Sequence, residues 1–264
     1  MIQIYNIPVN DQNILVVRSD LLGDGIIYPP WGKISALKHL IEKEIVDKTK
    51  PFAHLAVYGS WSGWALSKIC QELGIKFINV YPKSGKYPDG ILKKISNNGA
   101  ENYPLKFNVA PVLYSQLKKI AFNNNWVVLN YGFDNPEYVN FIENQCSDVI
   151  KTLGDIDNFI VSSGSGITTL ALARACKKHG VKNLYSICVS SEKTIKKKLQ
   201  ETESYVNIIK SPYGFSDLMK DYPVDFPCNR FWDLKAWRWT KENINKLNGT
   251  TVFWNLGGNC EFYG

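Results

Sequence analysis

A chain of 264 residues is long enough for one large domain or two small ones, with a substantial buried core. Hydrophobic residues make up 45% and charged residues 21%, an ordinary globular mix that excludes a disordered chain. The formal charge of +7 favours anionic partners, and a phosphorylated cofactor, a phosphorylated substrate and nucleic acid all satisfy it.

The cysteines are Cys70, Cys146, Cys176, Cys188, Cys228 and Cys260, scattered and without a C-x-x-C pair, so neither a zinc site nor a disulfide framework is expected. Cys70, Cys176 and Cys188 fall in apolar segments and read as buried thiols. His39, His54 and His179 show no metal-ligand spacing and carry no assigned role. No apolar run reaches membrane-spanning length, and no basic-then-apolar leader opens the sequence. The expectation is a reduced, cytoplasmic protein without metal.

In chain order, residues 13–18 form a short apolar run and read as a strand. From 33 to 46 the apolar residues Ile34, Leu37, Leu40, Ile41 and Ile45 recur at helical spacing. A strand over 54–58 enters Gly59-Ser60, a helix over 62–73 is stopped by Gly74, and a strand follows over 76–81. A helix over 111–123 precedes a strand over 126–129, and another helix covers 138–153. The strand over 158–161 runs into a Gly/Ser loop that opens a helix over 168–179. Strands over 183–189 and 250–254 complete the series, and Lys193 to Lys198 read as the solvated face of a helix. Strands alternating with helices imply an α/β fold, mostly parallel, with helices on both faces.

Two strand-to-helix turns are suited to anions. In Ser163-Gly164-Ser165-Gly166-Ile167-Thr168-Thr169 the glycines let backbone N–H groups approach a phosphate at a helix N-terminus, and the hydroxyls can add donors. No lysine follows the glycines, which excludes a Walker loop, and a plain Gly/Ser turn is the alternative reading. Gly59-Ser60-Trp61-Ser62-Gly63 is a second such turn, and two of them suit a cofactor plus a carboxylate substrate. Lys33, in Pro29-Pro30-Trp31-Gly32-Lys33, precedes a helix N-terminus, where the dipole and partial desolvation would make its amine nucleophilic. Trp232, Trp237 and Trp239 alternate with Arg230, Lys235, Arg238 and Lys241. That pattern fits either a helix packing its tryptophans inward or a base-stacking, phosphate-neutralising stripe.

The ordered set of Arg18-Ser19-Asp20-Leu21-Leu22, Gly32-Lys33, the 59–63 turn, the 163–169 loop and Val252-Phe253-Trp254-Asn255-Leu256-Gly257-Gly258 resembles the tryptophan-synthase-β-like superfamily. These are the fold-type II pyridoxal-phosphate enzymes, and the set is most similar to the branch of 1-aminocyclopropane-1-carboxylate deaminase and D-cysteine desulfhydrase. The resemblance implies two three-layer αβα domains with mostly parallel sheets, a smaller one over 51–145 and a larger, cofactor-binding one made of 1–50 and 146–264. It implies that Lys33 carries pyridoxal 5'-phosphate as a Schiff base. Ser163, Gly164, Ser165, Gly166, Ile167 and Thr168 would hold the phosphate, and Asp233 would face the pyridine nitrogen. Ser60, Trp61, Ser62 and Gly63 would bind the substrate carboxylate, with Lys33, Ser60 and Tyr131 as the catalytic groups. Asp134 shares the turn of Tyr131, which also reads as a plain loop ending a strand.

The chain departs from the family pattern at Trp61, where an asparagine is usual, at Ile167 in place of a glycine, and at Leu256 in place of a hydroxyl residue. The implied activity is deamination or α,β-elimination of a small amino acid, with replacement and decarboxylation as further outcomes, by a homodimer. Two alternatives stay open. One is the same cofactor acting on an amino-acid-modified nucleotide or DNA, and the other is a non-catalytic relative that binds a phosphorylated ligand.

Overall fold

The structure, a computed structural model, describes residues 2–22, 31–43, 47–57, 59–83, 89–106, 109–215, 217–219 and 222–257. Among them the chain forms β1 (Ile4–Val9), β2 (Gln12–Arg18), α1 (Ile34–Glu42), β3 (Phe52–Leu55), α2 (Ser62–Glu72), β4 (Phe77–Pro82), α3 (Asp89–Asn97), β5 (Glu101–Leu105) and α4 (Ala110–Asn123). It continues through β6 (Val127–Val128), α5 (Pro136–Leu153), β7 (Asn158–Ser163), α6 (Ile167–Lys178), β8 (Asn183–Cys188), α7 (Glu192–Leu199), β9 (Val206–Lys210), α8 (Asp233–Asn243) and β10 (Thr251–Asn255). The chain divides into two compact units, one within Met1–Ser35 and Pro136–Cys260, the other within Ala36–Asn135.

The first unit is built on a six-stranded sheet in the order β1-β2-β10-β7-β8-β9. Only the β1–β2 pair is antiparallel; β10 runs parallel to both β2 and β7, and β7–β8–β9 continue in the same direction. Side chains alternate across the sheet, so one face carries Ile14, Val16, Ile160, Ile187 and Phe253, which pack with Leu234 and Trp237 of α8. The opposite face brings the rings of Phe159 and Trp254 to 5.9 Å. Every residue of β7 and of β10 is buried, which is why both read as continuous apolar runs rather than alternating ones.

The second unit holds a four-stranded parallel sheet in the order β5-β4-β3-β6. Ala53, Leu55, Ile78 and Val80 pack on Leu113, Leu117 and Ala121 of α4. The alternate residues His54 and Asn79 face each other in the register of β3 and β4, on the other side of the sheet. There α2 comes so close that a Cβ on Gly63 would lie 2.2 Å from Asn79 Oδ1, which leaves glycine as the residue that fits. These two sheets give the α/β fold expected from the sequence. The strand expected over 126–129 is reduced to Val127–Val128, and β1, α3, β5 and β9 had no counterpart in the sequence reading. No helix among the described residues is long and apolar enough to cross a membrane. The described cysteines are all buried free thiols.

Candidate functional site

In the first unit the carboxyl ends of the neighbouring strands β2, β10 and β7 carry Ser19 and Asp20, Asn255 and Ser163. Ligands of open parallel sheets bind at these ends. Hydrogen bonds fasten the ends of β2 and β10 together. Ser19 Oγ donates to the Asn255 carbonyl at 2.6 Å, and Asn255 Nδ2 donates to Asp20 Oδ1 at 3.1 Å. Arg18 spans both oxygens of Asp20 at 2.9 and 2.8 Å. The Gly32 N–H donates to the Leu256 carbonyl at 3.0 Å, which fixes Lys33 beside the end of β10.

Lys33 is half-buried, with its ammonium 5.7 Å from the centre of the Trp31 ring. Crowding around the amine disfavours its charge and pulls its pKa down to about 8, while the negative charge of Asp233 resists that fall. An amine at that value has a far larger unprotonated, nucleophilic fraction near neutral pH than an ordinary lysine.

Asp233, at the start of α8, is 1% exposed. Burial raises its carboxyl to about 7, and the charge of Asp20 pushes it the same way. A hydrogen bond from Ser162 Oγ to Oδ1 and the amides of Leu256 and Gly257 oppose the rise. Oδ2 lies against the backbone of Gly257, where an added Cβ would come within 2.4 Å of it, and makes no hydrogen bond of good geometry among the described residues. A surface acid on a helix would show none of these features.

The 163–169 segment joins β7 to α6, with Gly166 at φ 82° as the first residue outside the helix. Two of the loop's carbonyls are occupied. Val189 N–H donates to Ser163 O at 3.0 Å, and Ser190 Oγ donates to Gly164 O at 2.5 Å. The N–H groups of a first helical turn have no acceptor within their own helix and can meet an anion. Thr169 Oγ1 donates to Ser163 Oγ at 2.8 Å, whereas Thr168 Oγ1 is buried without a partner among the described residues. Ile167 is 1% exposed, so its side chain is packed into the protein rather than facing an open phosphate site.

The second unit carries the other turn. Ser60 Oγ and Ser62 Oγ share a hydrogen bond at 2.9 Å whose direction follows the orientation of the two hydroxyls, and Ser60 Oγ accepts from Ser62 N–H at 3.2 Å. Ser62 Oγ lies 3.0 Å from His54 Nε2, and the imidazole stacks on Phe133 at 4.8 Å. Trp61 is buried with its ring 5.5 Å from that of Trp64. Tyr131 begins a short 3-10 turn, Tyr131–Phe133, that supplies Phe133.

Lys33, Ser163 to Thr168 and Asp233 therefore belong to one unit, and Ser60, Trp61, Ser62, Gly63 and Tyr131 to the other. His54 was missed because it lacks metal spacing. The available signal was a polar residue inside the apolar run Phe52-Ala53-His54-Leu55-Ala56, since a buried polar group needs a partner. The basic-aromatic segment resolves toward packing. Trp237 is in the core, and the Lys235 ammonium donates to the carbonyls of Gly214 at 2.6 Å and Phe215 at 3.2 Å. No group of three or more His, Cys, Asp or Glu residues among the described residues is placed to hold a metal ion.

No protein-family model matches the chain. It is 25% identical, over 96% of its length and 99% of the other protein's, to a glycyl-dTMP PLP-dependent decarboxylase of Pseudomonas phage M6. Among solved structures it is similar to an ACC deaminase homologue, with a TM-score of 0.74, 16% identity, and 93% of this chain and 84% of the other covered. A hydrogen sulfide-producing enzyme from Fusobacterium nucleatum gives a TM-score of 0.73, 14% identity, and coverage of 100% and 96%. A pyridoxal 5'-phosphate-dependent aspartate racemase gives 0.71, 13% identity, and coverage of 98% and 91%. The chain has the fold-type II pyridoxal-phosphate-enzyme fold.

Proposed function

We propose that this protein is a pyridoxal-phosphate-dependent lyase that decarboxylates an amino-acid unit carried on a nucleotide. The observation that carries the reading is a pair of buried oxygens that make no hydrogen bond of good geometry among the described residues. Thr168 Oγ1, on the loop that opens α6, is a hydroxyl able to donate to a phosphate. Asp233 Oδ2 is a carboxylate oxygen able to accept from a protonated ring nitrogen. Burial without a well-formed hydrogen bond is costly for both, and this cofactor supplies what each lacks. Lys33, with its amine brought to about 8, would hold the cofactor covalently.

When bound, pyridoxal phosphate supplies an electron sink for the pair released at the substrate Cα. Asp233, ionised against a ring N–H, would keep that sink effective. Lys33 Nζ would hold the proton that replaces the lost carboxylate at Cα. The Ser60–Gly63 turn, at the N-terminus of α2, would orient the carboxylate.

Support for the nucleotide comes from the phage relative, a glycyl-dTMP decarboxylase. It does not come from the Arg230-to-Lys241 segment, because Trp237 and Lys235 are inside the protein. The second reading, deamination or α,β-elimination of a small free amino acid, uses the same residues and breaks a different bond. The non-catalytic reading rested on Trp61 and Ile167, and both of those side chains are packed away in the interior. The family resemblance also implies a homodimer, which light scattering tests.

The experiment is an absorbance spectrum of the protein loaded with pyridoxal phosphate, for wild type and Lys33→Ala, followed by incubation with glycyl-dTMP. A violet-region band lost in the variant, with carbon dioxide released, supports the proposal. Ammonia released from free amino acids instead selects the second reading. No band in wild type sinks both.

A further inference from the structure

We propose that His54 is a positioning residue that sets the direction of the Ser62–Ser60 hydroxyl chain so that Ser60 donates to the substrate carboxylate. The inference rests on the reading of the Ser60–Gly63 turn as the carboxylate site. Two hydroxyls in series behind an imidazole can point either way. With Nε2 unprotonated, Ser62 donates inward to the ring and Ser60 donates to Ser62, as the 3.0 and 2.9 Å contacts allow. Ser60 then has only lone pairs to present, which repel a carboxylate. With the proton on Nε2, the ring donates to Ser62 and Ser62 donates to Ser60. Ser60 keeps its own proton for a group outside the chain. The Ser62 N–H at 3.2 Å holds the Ser60 oxygen in place in both arrangements.

A second observation fixes the ring itself. Phe133 lies nearly parallel to the imidazole, at 14° between planes. Its backbone adopts φ 60°, a left-handed conformation that a bulky residue takes only against a steric penalty. The Tyr131–Phe133 turn holds that conformation and its aromatic ring against His54. The imidazole, 2% exposed, is thus clamped on its face by Phe133 and held at its edge by Ser62.

A histidine that merely fills the interior would affect every ligand alike, whereas one that orients Ser60 would affect only ligands with a carboxylate. Glycine and methylamine differ by that group. Both are titrated into the holoprotein and followed by the shift of the cofactor band. His54→Leu is expected to weaken glycine about tenfold or more, the loss expected for a hydrogen bond to a charged group, and to leave methylamine unchanged. His54→Gln, whose side-chain N–H can donate to Ser62, is expected to restore glycine. Should His54→Leu fail to fold, His54→Phe keeps a ring against Phe133, removes the nitrogen that faces Ser62 and is read the same way. A cofactor band with an unchanged glycine-to-methylamine ratio in these variants overturns the role of His54 alone. A wild-type protein that holds no pyridoxal phosphate overturns both this inference and the reading beneath it.

Discussion

Lys33 and Asp233 are an electrostatically linked pair at the carboxyl end of the six-stranded sheet, each held away from its ordinary charge by burial. The amine is drawn down to about 8 and would fall further without the Asp233 charge. The carboxyl is lifted to about 7. Both groups thus titrate close to neutral pH, the pattern by which environments divide labour between an acid and a base.

The pair makes the rate of cofactor attachment depend on pH in a defined way. Only the unprotonated Lys33 amine reacts, so the rate should rise with pH and level off above about 8 rather than near the ordinary lysine value. Removing the charge in Asp233→Asn should move the inflection lower, because the Asp233 charge is what raises it. Growth of the violet absorbance band after mixing with pyridoxal phosphate, from pH 6 to 10, measures both. An inflection unmoved by Asp233→Asn would show that the two groups do not interact.

Stability of the cofactor-free protein should follow Asp233 with the opposite sign. Its folded pKa of about 7 exceeds the ordinary 3.8, so the folded state holds this proton longer than the unfolded chain does. The contribution is fully present below 3.8 and is lost as pH rises through about 7. Asp233→Asn should flatten that slope and leave the apo variant more stable than wild type at pH 8, by an amount on the order of a few kcal/mol. Thermal unfolding from pH 4 to 8 checks the prediction.

The α/β alternation and the strand–turn–helix segment that carries the candidate loop were legible because each depended on a short, strong signal. The β7 run Asn158 to Ser163 and the glycines after it announce a strand, a tight turn and a helix start in ten residues. Four elements were not legible, for local reasons. Pro8 in β1 and Pro104 in β5 mark edge strands that cannot donate at that position and that read as loops. β9 is a five-residue edge strand with only partial burial. Gly90, second in α3, reads as a turn, while the buried stripe of Ile91 and Ile95 is too short to outweigh it. The helix placing Trp237 inward was one of two readings, since a single sequence does not show which face of an amphipathic helix is covered. His54 was invisible for a different reason. Its partners Ser60 and Ser62 lie beyond the end of its own strand, and only the turn brings them back to it.

Lys235 should behave as a structural residue. Its ammonium fastens the Gly214 and Phe215 carbonyls, and its pKa is pulled down to about 8 by burial. Lys235→Met keeps the length of the side chain and leaves two carbonyls without their donor, a cost of about 1–3 kcal/mol. Chemical denaturation should show that loss, with turnover of the folded fraction unchanged. A selective loss of nucleotide affinity at full stability would instead return the Arg230-to-Lys241 segment to the substrate.

Gly164 offers the sharpest separation of loop geometry from loop stability. A Cβ there would sit 2.5 Å from Cζ3 of Trp232, a distance that requires one of them to move. The indole is itself held edge-on by Phe215 at 4.9 Å, so the loop is the part that yields. Displacing it would misalign the α6 N-terminal amides, the proposed phosphate cradle. Gly164→Ala should therefore lower affinity for pyridoxal phosphate about tenfold or more, the equivalent of one lost hydrogen bond to a charged group. Trp232→Leu in the same chain frees the space and should recover part of the affinity, because contacting residues do not act additively. Titration of the violet band gives the affinity, and thermal unfolding of the apo protein gives the stability. If the alanine variant loses stability but binds the cofactor as wild type does, the Gly164 amide is not part of the phosphate site. If affinity falls and the double variant restores it, the close approach of Trp232 is what shapes the loop.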